Sequence, residues 1–369
     1  MPNRPLCPGM AAYDNPPMQF DDIAQALDAL GARPLHRARV LRHWLQAIPL
    51  TQGRRPLDQF LPKPLFEALP ALMAEWQGLV QLHTREPAGD GSERLLLTLR
   101  DGQSVEAVLL PERSKAWGLC VSSQVGCAVG CGFCMTGTGG LIRQLGSAEI
   151  LAQVALARTL RPVNKVVFMG MGEPSHNLEV VLQAIQVLGQ EGGIGHKNLV
   201  FSTVGDERAF ERLAQGVVKP ALALSLHTTK AELREQLLPR APRLSPQWLV
   251  EQAEAYARAS GYPVQYQWTL LDGVNDEEED AIVELLTGRF GVLNLIPYNQ
   301  VEGLPFRRPD PEKSRALLRR LHQRGILTKL RDSAGQDVEG GCGQLRARIQ
   351  AERPVKFQRT KSSAVSPST

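Results

Sequence analysis

The chain has no run of about 18 apolar residues, which excludes a bilayer-spanning helix. Its opening, MPNRPLCPGMAAYDNPP, lacks an apolar core and a small-residue cleavage site. It does not read as a secretory signal, and the cytoplasm is the expected location. Cysteine is scarce, with six in 369 residues (Cys7, Cys120, Cys127, Cys131, Cys134 and Cys342), too few for a disulfide framework in a chain of this length. In a reducing compartment such thiols stay available for metals or catalysis. No sign of charge dominates either: a net charge of +4 and a pI near 8.8 give only a mild lean towards anionic partners. What is present, 43% hydrophobic and 22% charged residues, is ordinary globular composition, long enough for one large domain and a smaller one.

Residues 1–17, with Pro2, Pro5, Pro8, Pro16 and Pro17, read as a disordered tail. Residues 18–80 read as a helical accessory domain. Ile23, Leu27 and Leu30 recur on one face, and Val40, Leu41, Trp44 and Leu45 on another. Residues 81–114 switch to strand character around Asp101-Gly102, a β-hairpin linker. Beyond 115, apolar runs (WGLCVSS, KVVFMG, NLVFST, ALALSL, VQYQWTL, GVLNLIP and ILTKLR) alternate with amphipathic stretches. In one of these, SAEILAQVALARTL, Ser147 suits an N-cap and Glu149 the first turn. Repeated strand-helix units predict an α/β fold with a parallel sheet, open or curled into a barrel. Functional groups then belong at the C-terminal strand ends. There stand the cysteine loop, Gly170-Met171-Gly172-Glu173-Pro174, Ser202-Thr203, Ser225-Leu226-His227 and Pro297-Tyr298-Asn299. Residues 349–369, ending in SSAVSPST, read as a basic, disordered tail.

GCAVGCGFCMTG places Cys127, Cys131 and Cys134 within eight residues. Three thiols can be small buried hydrophobes, or part of a structural zinc site completed by Cys120 or Cys342. Structural zinc, however, favours four ligands in CxxC pairs, and CxxxCxxC is not that pattern. Iron–sulfur clusters are held by closely spaced thiolates. A [4Fe-4S] cube with only three protein thiolates keeps one iron open. At the mouth of a parallel barrel, that open corner suits S-adenosylmethionine, chelated through its amino and carboxylate groups and cleaved by one electron to a 5'-deoxyadenosyl radical.

GMGEP lacks the third glycine of a dinucleotide fingerprint. Its glycines would let backbone carbonyls approach a ligand ammonium, with Glu173 supplying negative charge. A plain strand-to-helix turn with Pro174 at the first helical position accounts for it equally. His227 is either a satisfied structural histidine or, by its place at a strand end, a ligand contact. Cys120, just before the cysteine loop, and Cys342, in glycine-flanked GGCGQL, read locally as unrelated thiols, and Cys7 as a bystander.

CVSSQVGC, GCGFCMTG, GMGEP, SLH, NLIPYN and CGQL, in that order, resemble the RlmN/Cfr family of radical S-adenosylmethionine RNA methyltransferases, over residues from about 20 to 348. The resemblance implies a partial (βα)6 TIM-like radical SAM barrel over residues 115–348, carrying the Cys342 loop at its C-terminal end, with an RNA-binding accessory domain before it. It implies a [4Fe-4S] cluster on Cys127, Cys131 and Cys134. S-adenosylmethionine would be bound by Gly172, Glu173, Ser202, Ser225, Leu226, His227 and Asn299. It further implies that Cys342 is first methylated, that a hydrogen atom is then taken from that methyl group, and that the carbon radical adds to an sp² carbon of adenine. The resemblance also implies that Cys120 resolves the covalent intermediate by a disulfide with Cys342 and that Glu106 is the proton acceptor. Without the family, Glu106 is a polar residue alternating along a strand. Radical addition meets a physical need, because an amidine carbon such as adenine C2 is a poor nucleophile towards a sulfonium methyl.

The expected activity is therefore methylation of a carbon of adenosine, C2 foremost, in ribosomal or transfer RNA. The expected partners are RNA and a one-electron donor such as flavodoxin or ferredoxin, with no membrane, and the chain is expected to be a monomer. Alternatives are a radical enzyme acting on a non-RNA substrate and a zinc-stabilised RNA-binding protein. Departures from the family pattern occur at Met135, at Leu141-Ile142 before Arg143, at Lys115 and Trp117-Gly118, and in GGCGQL. They flank the expected RNA entrance and bear on the nucleotide rather than on the reaction. Two basic runs, Arg33, Arg37, Arg39 and Arg42, then Arg346, Arg348, Arg353, Lys356, Arg359 and Lys361, are either phosphate contacts or solvated faces.

Overall fold

A computed structural model describes residues 16–52, 55–112 and 116–346. The expected tails fall outside these residues except for Pro16 and Pro17, as do Cys7 and Lys115 and, of the second basic run, all but Arg346. The strands are β1 (Val80–Pro87), β2 (Glu93–Leu99), β3 (Ser104–Pro111), β4 (Trp117–Cys120), β5 (Gln124–Gly126), β6 (Leu141–Gln144), β7 (Val163–Phe168), β8 (Leu199–Thr203), β9 (Ala221–Ser225), β10 (Val264–Leu270), β11 (Gly291–Pro297) and β12 (Thr328–Leu330).

Two kinds of pairing meet at β4. On one side β4, β7, β8, β9, β10, β11 and β12 pair in parallel, in that order. On the other, β1, β2 and β3 run antiparallel and join the same ten-stranded sheet through β3, with Val108 opposite Cys120. The segment read as a linker is thus hydrogen-bonded into the barrel wall. The short strands β5 and β6 form a separate antiparallel pair that clamps the base of the cysteine loop, an element the strand pattern did not announce. β12, at the far edge, makes no ladder with β3 or β4, so the barrel is unclosed among the described residues.

Helices cover the outer face of the sheet because its strands alternate: Tyr266, Trp268 and Leu270 of β10 and Leu293 and Leu295 of β11 are buried in the core against them. The helix Ser147–Leu160 is buried on nearly every side, as expected of a helix apolar all round. It separates the sheet from the N-terminal helices Phe20–Ala29, Pro34–Gln46 and Lys63–Gln77, and one apolar core runs through all of them. Its cap differs from the sequence expectation. Gly146 occupies the N-cap position, with its N–H held by Glu149 at 2.9 Å. Ser147 turns outward instead: its hydroxyl donates to Gln183 at 2.5 Å and accepts the Phe20 N–H at 2.7 Å, fastening the first helix to the barrel.

Candidate active site

Residues from β7, β8, β9, β10 and β11 converge with the cysteine loop on one cavity of about 160 Å³ at the C-terminal strand ends. Its wall includes Cys127, Cys131, Cys134, Gly172, Glu173, Ser202, Ser225, His227, Asn299 and Cys342. The loop itself is short and braced. The Cys134 N–H donates to the Cys131 carbonyl at 3.1 Å, the Cys127 N–H to the Gly140 carbonyl at 3.0 Å, and the Gly132 N–H to the Leu237 carbonyl at 2.9 Å. Burial pushes the Cys127 thiol up to about 12, aided by the charges of Glu173 and Cys134. Burial and then Cys134 and Cys127 hold Cys131 well above the ordinary thiol range. Thiolates this close and this desolvated need a cation among them.

Among the described residues no three Cys, His, Asp or Glu side chains converge as a one-metal site. Three closely spaced cysteines on the wall of one cavity fit a [4Fe-4S] cluster, which would be held by their thiolates.

GMGEP follows β7. The Glu173 carboxylate accepts N–H bonds from Ser175 and Val204, each at 3.1 Å, capping the short helix Pro174–Asn177 while still facing the cavity. The turn reading holds, and it leaves the Glu173 side chain on the cavity wall. The glycines are demanded from the other side. A Cβ on Gly170 would lie 2.7 Å from the Val121 carbonyl, and one on Gly172, at φ +106°, would lie 2.7 Å from Gln124 Cβ. They let the turn press against the segment 121–124. Gly172→Ala is expected to cost about 1–3 kcal/mol of stability, read as a lowered denaturation midpoint.

His227 adopts a left-handed backbone, φ 63°. Its Nδ1 accepts the Thr269 N–H at 3.0 Å, and its ring meets Phe133 edge-on, with centroids 4.9 Å apart. That bond leaves the ring hydrogen on Nε2. Burial, then the charge of Arg234, lowers its pKa to about 3, so the imidazole is a neutral donor. The unfolded chain takes up this proton near pH 6.5 and the folded chain does not, so stability is full above 6.5 and falls as the pH drops towards 3. Between about pH 6.5 and 5 the loss is about 2 kcal/mol. His227→Asn, which tolerates the same backbone, is expected to remove that share of the acid slope in urea-denaturation midpoints.

Asn299 donates to the Cys342 carbonyl at 2.9 Å and to Ser333 Oγ at 2.8 Å, while its Oδ1 is buried without a partner. An unpaired acceptor on the cavity wall fits a ligand with N–H or O–H donors, as S-adenosylmethionine has. Leu226 alone of the expected contacts lies off the wall. Its side chain is fully buried in the core and its N–H donates to the Gln267 carbonyl at 3.1 Å.

A model of the radical SAM superfamily matches residues 121–286. A protein of Methylibium petroleiphilum named "Probable RNA methyltransferase" is 68% identical over 333 residues, covering 90% of this chain and 93% of its own. One of Azoarcus sp. with the same designation is 63% identical over 349 residues, covering 94% and 98%. A solved radical SAM methyltransferase from Sphaerobacter thermophilus superposes with a TM-score of 0.76 at 32% identity, covering 92% of this chain and all of its own. The chain belongs to the radical SAM superfamily, among its methyltransferases.

In this radical SAM methyltransferase, Cys120 and Cys342 share a second cavity of about 280 Å³. It adjoins the first, since Cys134, Met169, Gly170, Gln267 and Cys342 belong to both walls. Cys342 is exposed to it, although the surrounding protein holds its thiol above the ordinary range, against the hydrogen bond of Ser333 and the charge of Arg331. Burial, then Cys342, raises the Cys120 thiol further still. Glu106 lies one register step from that cavity, because Val108, two residues on, lines it. Its carboxylate is buried, accepting from Arg94 at 3.1 Å and from the Arg346 N–H at 2.8 Å, so it ties the segment after Cys342 to β3.

Two charged residues of the methyltransferase escaped the sequence reading. Arg234, buried on the helix Ala231–Leu237, donates to the Val204 carbonyl, and its charge acts on His227, Glu173 and Cys131. Arg94 on β2 bridges Glu106 and Glu86. Each is one arginine among many, with no local pattern. The first basic run is largely committed internally. Arg37 pairs with Asp28 at 2.9 Å, Arg42 pairs with Glu191 at 3.2 Å, and Arg39 binds the Leu50 carbonyl and covers the Phe60 ring. Met135 and Ile142, where the chain departs from the resembled family, line a third hollow on the outer side of the cysteine loop.

No helix among the described residues is long and apolar enough to cross a membrane.

Proposed function

We propose that this methyltransferase acts in the cytoplasm on RNA, ribosomal or transfer, and methylates a carbon of adenine, C2, in the manner of the RlmN/Cfr family. One observation carries the reading: Cys120 and Cys342, both outside the cysteine loop, line one cavity that adjoins the cavity walled by that loop. An enzyme transferring methyl directly from a sulfonium has no use for that pair. The names of the relatives, as RNA methyltransferases, point the same way.

Cluster and S-adenosylmethionine, when bound, supply hydrogen-atom abstraction, which no side chain here can perform. Cys127, Cys131 and Cys134 would hold the cluster. Gly172, Glu173, Ser202, Ser225, His227 and Asn299, with the main chain of Leu226, would hold the cofactor. Cys342 carries the methyl carbon as a thioether, presented from a loop that Asn299 grips through its carbonyl. Glu106 accepts the proton that leaves the base carbon, and the unpaired electron of the adduct would return to the bound cluster, leaving a closed-shell thioether. Cys120 then attacks Cys342: the sulfur–sulfur bond forms, the sulfur–carbon bond breaks, the electron pair stays with the carbon, which takes a proton to become methyl, and a dithiol reductant reopens the disulfide for the next turnover. The electron donor of the reaction is a flavodoxin or ferredoxin, and the chain works as a monomer.

The test is a comparison of nucleosides from ribosomal and transfer RNA of cells with and without the gene, by mass spectrometry. Loss of a C-methyladenosine in the deletion supports the reading, and unchanged profiles in both RNA pools refute it.

A further inference from the structure

The interior face of the barrel carries an unexpected composition. On β10, Gln265, Gln267 and Thr269 line the cavities, while Tyr266 and Trp268 point to the helices. On β11, Ile296 lines both cavities and Leu293 and Leu295 face the helices, so alternation turns Asn294 inward. In register, Gln267 stands between Asn294 and Ser225. The remaining interior, Val167, Val200, Ala221 and Ala223, is small. Barrels of this kind are ordinarily filled by bulky branched side chains. This one keeps space and faces it with the amides of Gln265 and Gln267, with the amide of Asn294 buried beside Gln267 on the next strand.

The amides of Asn294 and Gln267 are thinly hydrogen-bonded. Asn294 is 1% exposed, yet neither Nδ2 nor Oδ1 has a partner. Gln267 is 7% exposed, and its N–H reaches only the Gln265 carbonyl, at 3.3 Å. Native interiors seldom tolerate unpaired buried amides unless something else binds them. Gln267 also belongs to both cavity walls, so whatever meets Cys342 from the substrate side lies within its reach.

We propose that Gln267, with Gln265 and Asn294 beside it, is the specificity wall that reads the substrate base. This rests on the function proposed above. The tie to the Gln265 carbonyl takes one amide N–H of Gln267 and leaves its oxygen and second N–H for a ligand. The oxygen accepts from the 6-amino group of adenine, and the second N–H donates to the adjacent ring nitrogen, the pairing amides make with adenine elsewhere. A cavity of about 280 Å³ takes one extruded base and no stacked pair. Asn294 backs Gln267 from the neighbouring strand.

The probe is a synthetic oligoribonucleotide spanning the adenosine whose methyl group is lost in the gene deletion, carrying at that position either adenine or purine without its 6-amino group. Wild-type holoenzyme is expected to favour adenine in kcat/KM by about tenfold or more. Gln267→Met is expected to bring that ratio towards 1. Asn294→Leu is expected to raise the thermal midpoint while reducing the ratio, a combination that a purely structural asparagine would not give. Iron content checks that each variant is loaded, and Asn294→Leu decides if Gln267→Met does not fold. A wild-type ratio near 1, or an adenine preference unchanged in the variants, overturns this inference alone. A wild-type enzyme that methylates neither oligonucleotide overturns the function reading and this inference with it.

Discussion

Cys131→Ala, purified without oxygen, is expected to be colourless, to bind almost no iron, and to methylate nothing measurable. The expected loss is total because two thiolates cannot hold a cubane that has already given up its fourth protein ligand. Folding should survive. Cys131 sits on a loop braced by main-chain bonds of Gly132, Cys134 and Cys127 that an alanine leaves in place. A circular-dichroism melt near the wild-type midpoint would therefore separate loss of cluster from loss of fold. Because burial keeps Cys127 and Cys131 protonated, ligation must release those protons, and cluster uptake by wild-type apoprotein is expected to quicken as pH rises. A colourless wild type holding stoichiometric zinc would end the cluster reading.

The second large effect is expected from Cys120→Ala. With the resolving thiol gone, Cys342 should remain bonded to RNA through its methylene carbon, and released methylated RNA should fall to background. Digestion and mass spectrometry would find a nucleotide adduct on the peptide containing Cys342. Placement favours this outcome, since Cys120 and Cys342 face one cavity and Cys342 is exposed to it. Freely released product from Cys120→Ala would remove the resolving role and leave the barrel and cluster untouched. Cys342→Ala should form no adduct at all.

Much of this was legible beforehand. Each parallel strand was announced by an apolar run, and most of the groups placed at their C-terminal ends converge on one wall because strand direction fixes which end is shared. Two things were not legible, for physical reasons. VQYQWTL plainly alternates, but alternation names two faces without saying which meets water; in an unclosed barrel the apolar face turns outward to the helices, and Gln265 and Gln267 look inward. The arginines between 33 and 42 were read as charge, whereas their partners Asp28 and Glu191 lie at other points of the chain that only the fold brings near.

The missing ladder between β12 and β3–β4 has a consequence for what such a wall can admit. A sealed ring takes in only what can thread it or what has a free end. A split one can receive a single bead of a long string from the side, with the string running on uncut in both directions, and the hollow shared by Cys120 and Cys342 lies along that split, between Val108 and Gly118 on one bank and Arg331 to Ala334 on the other.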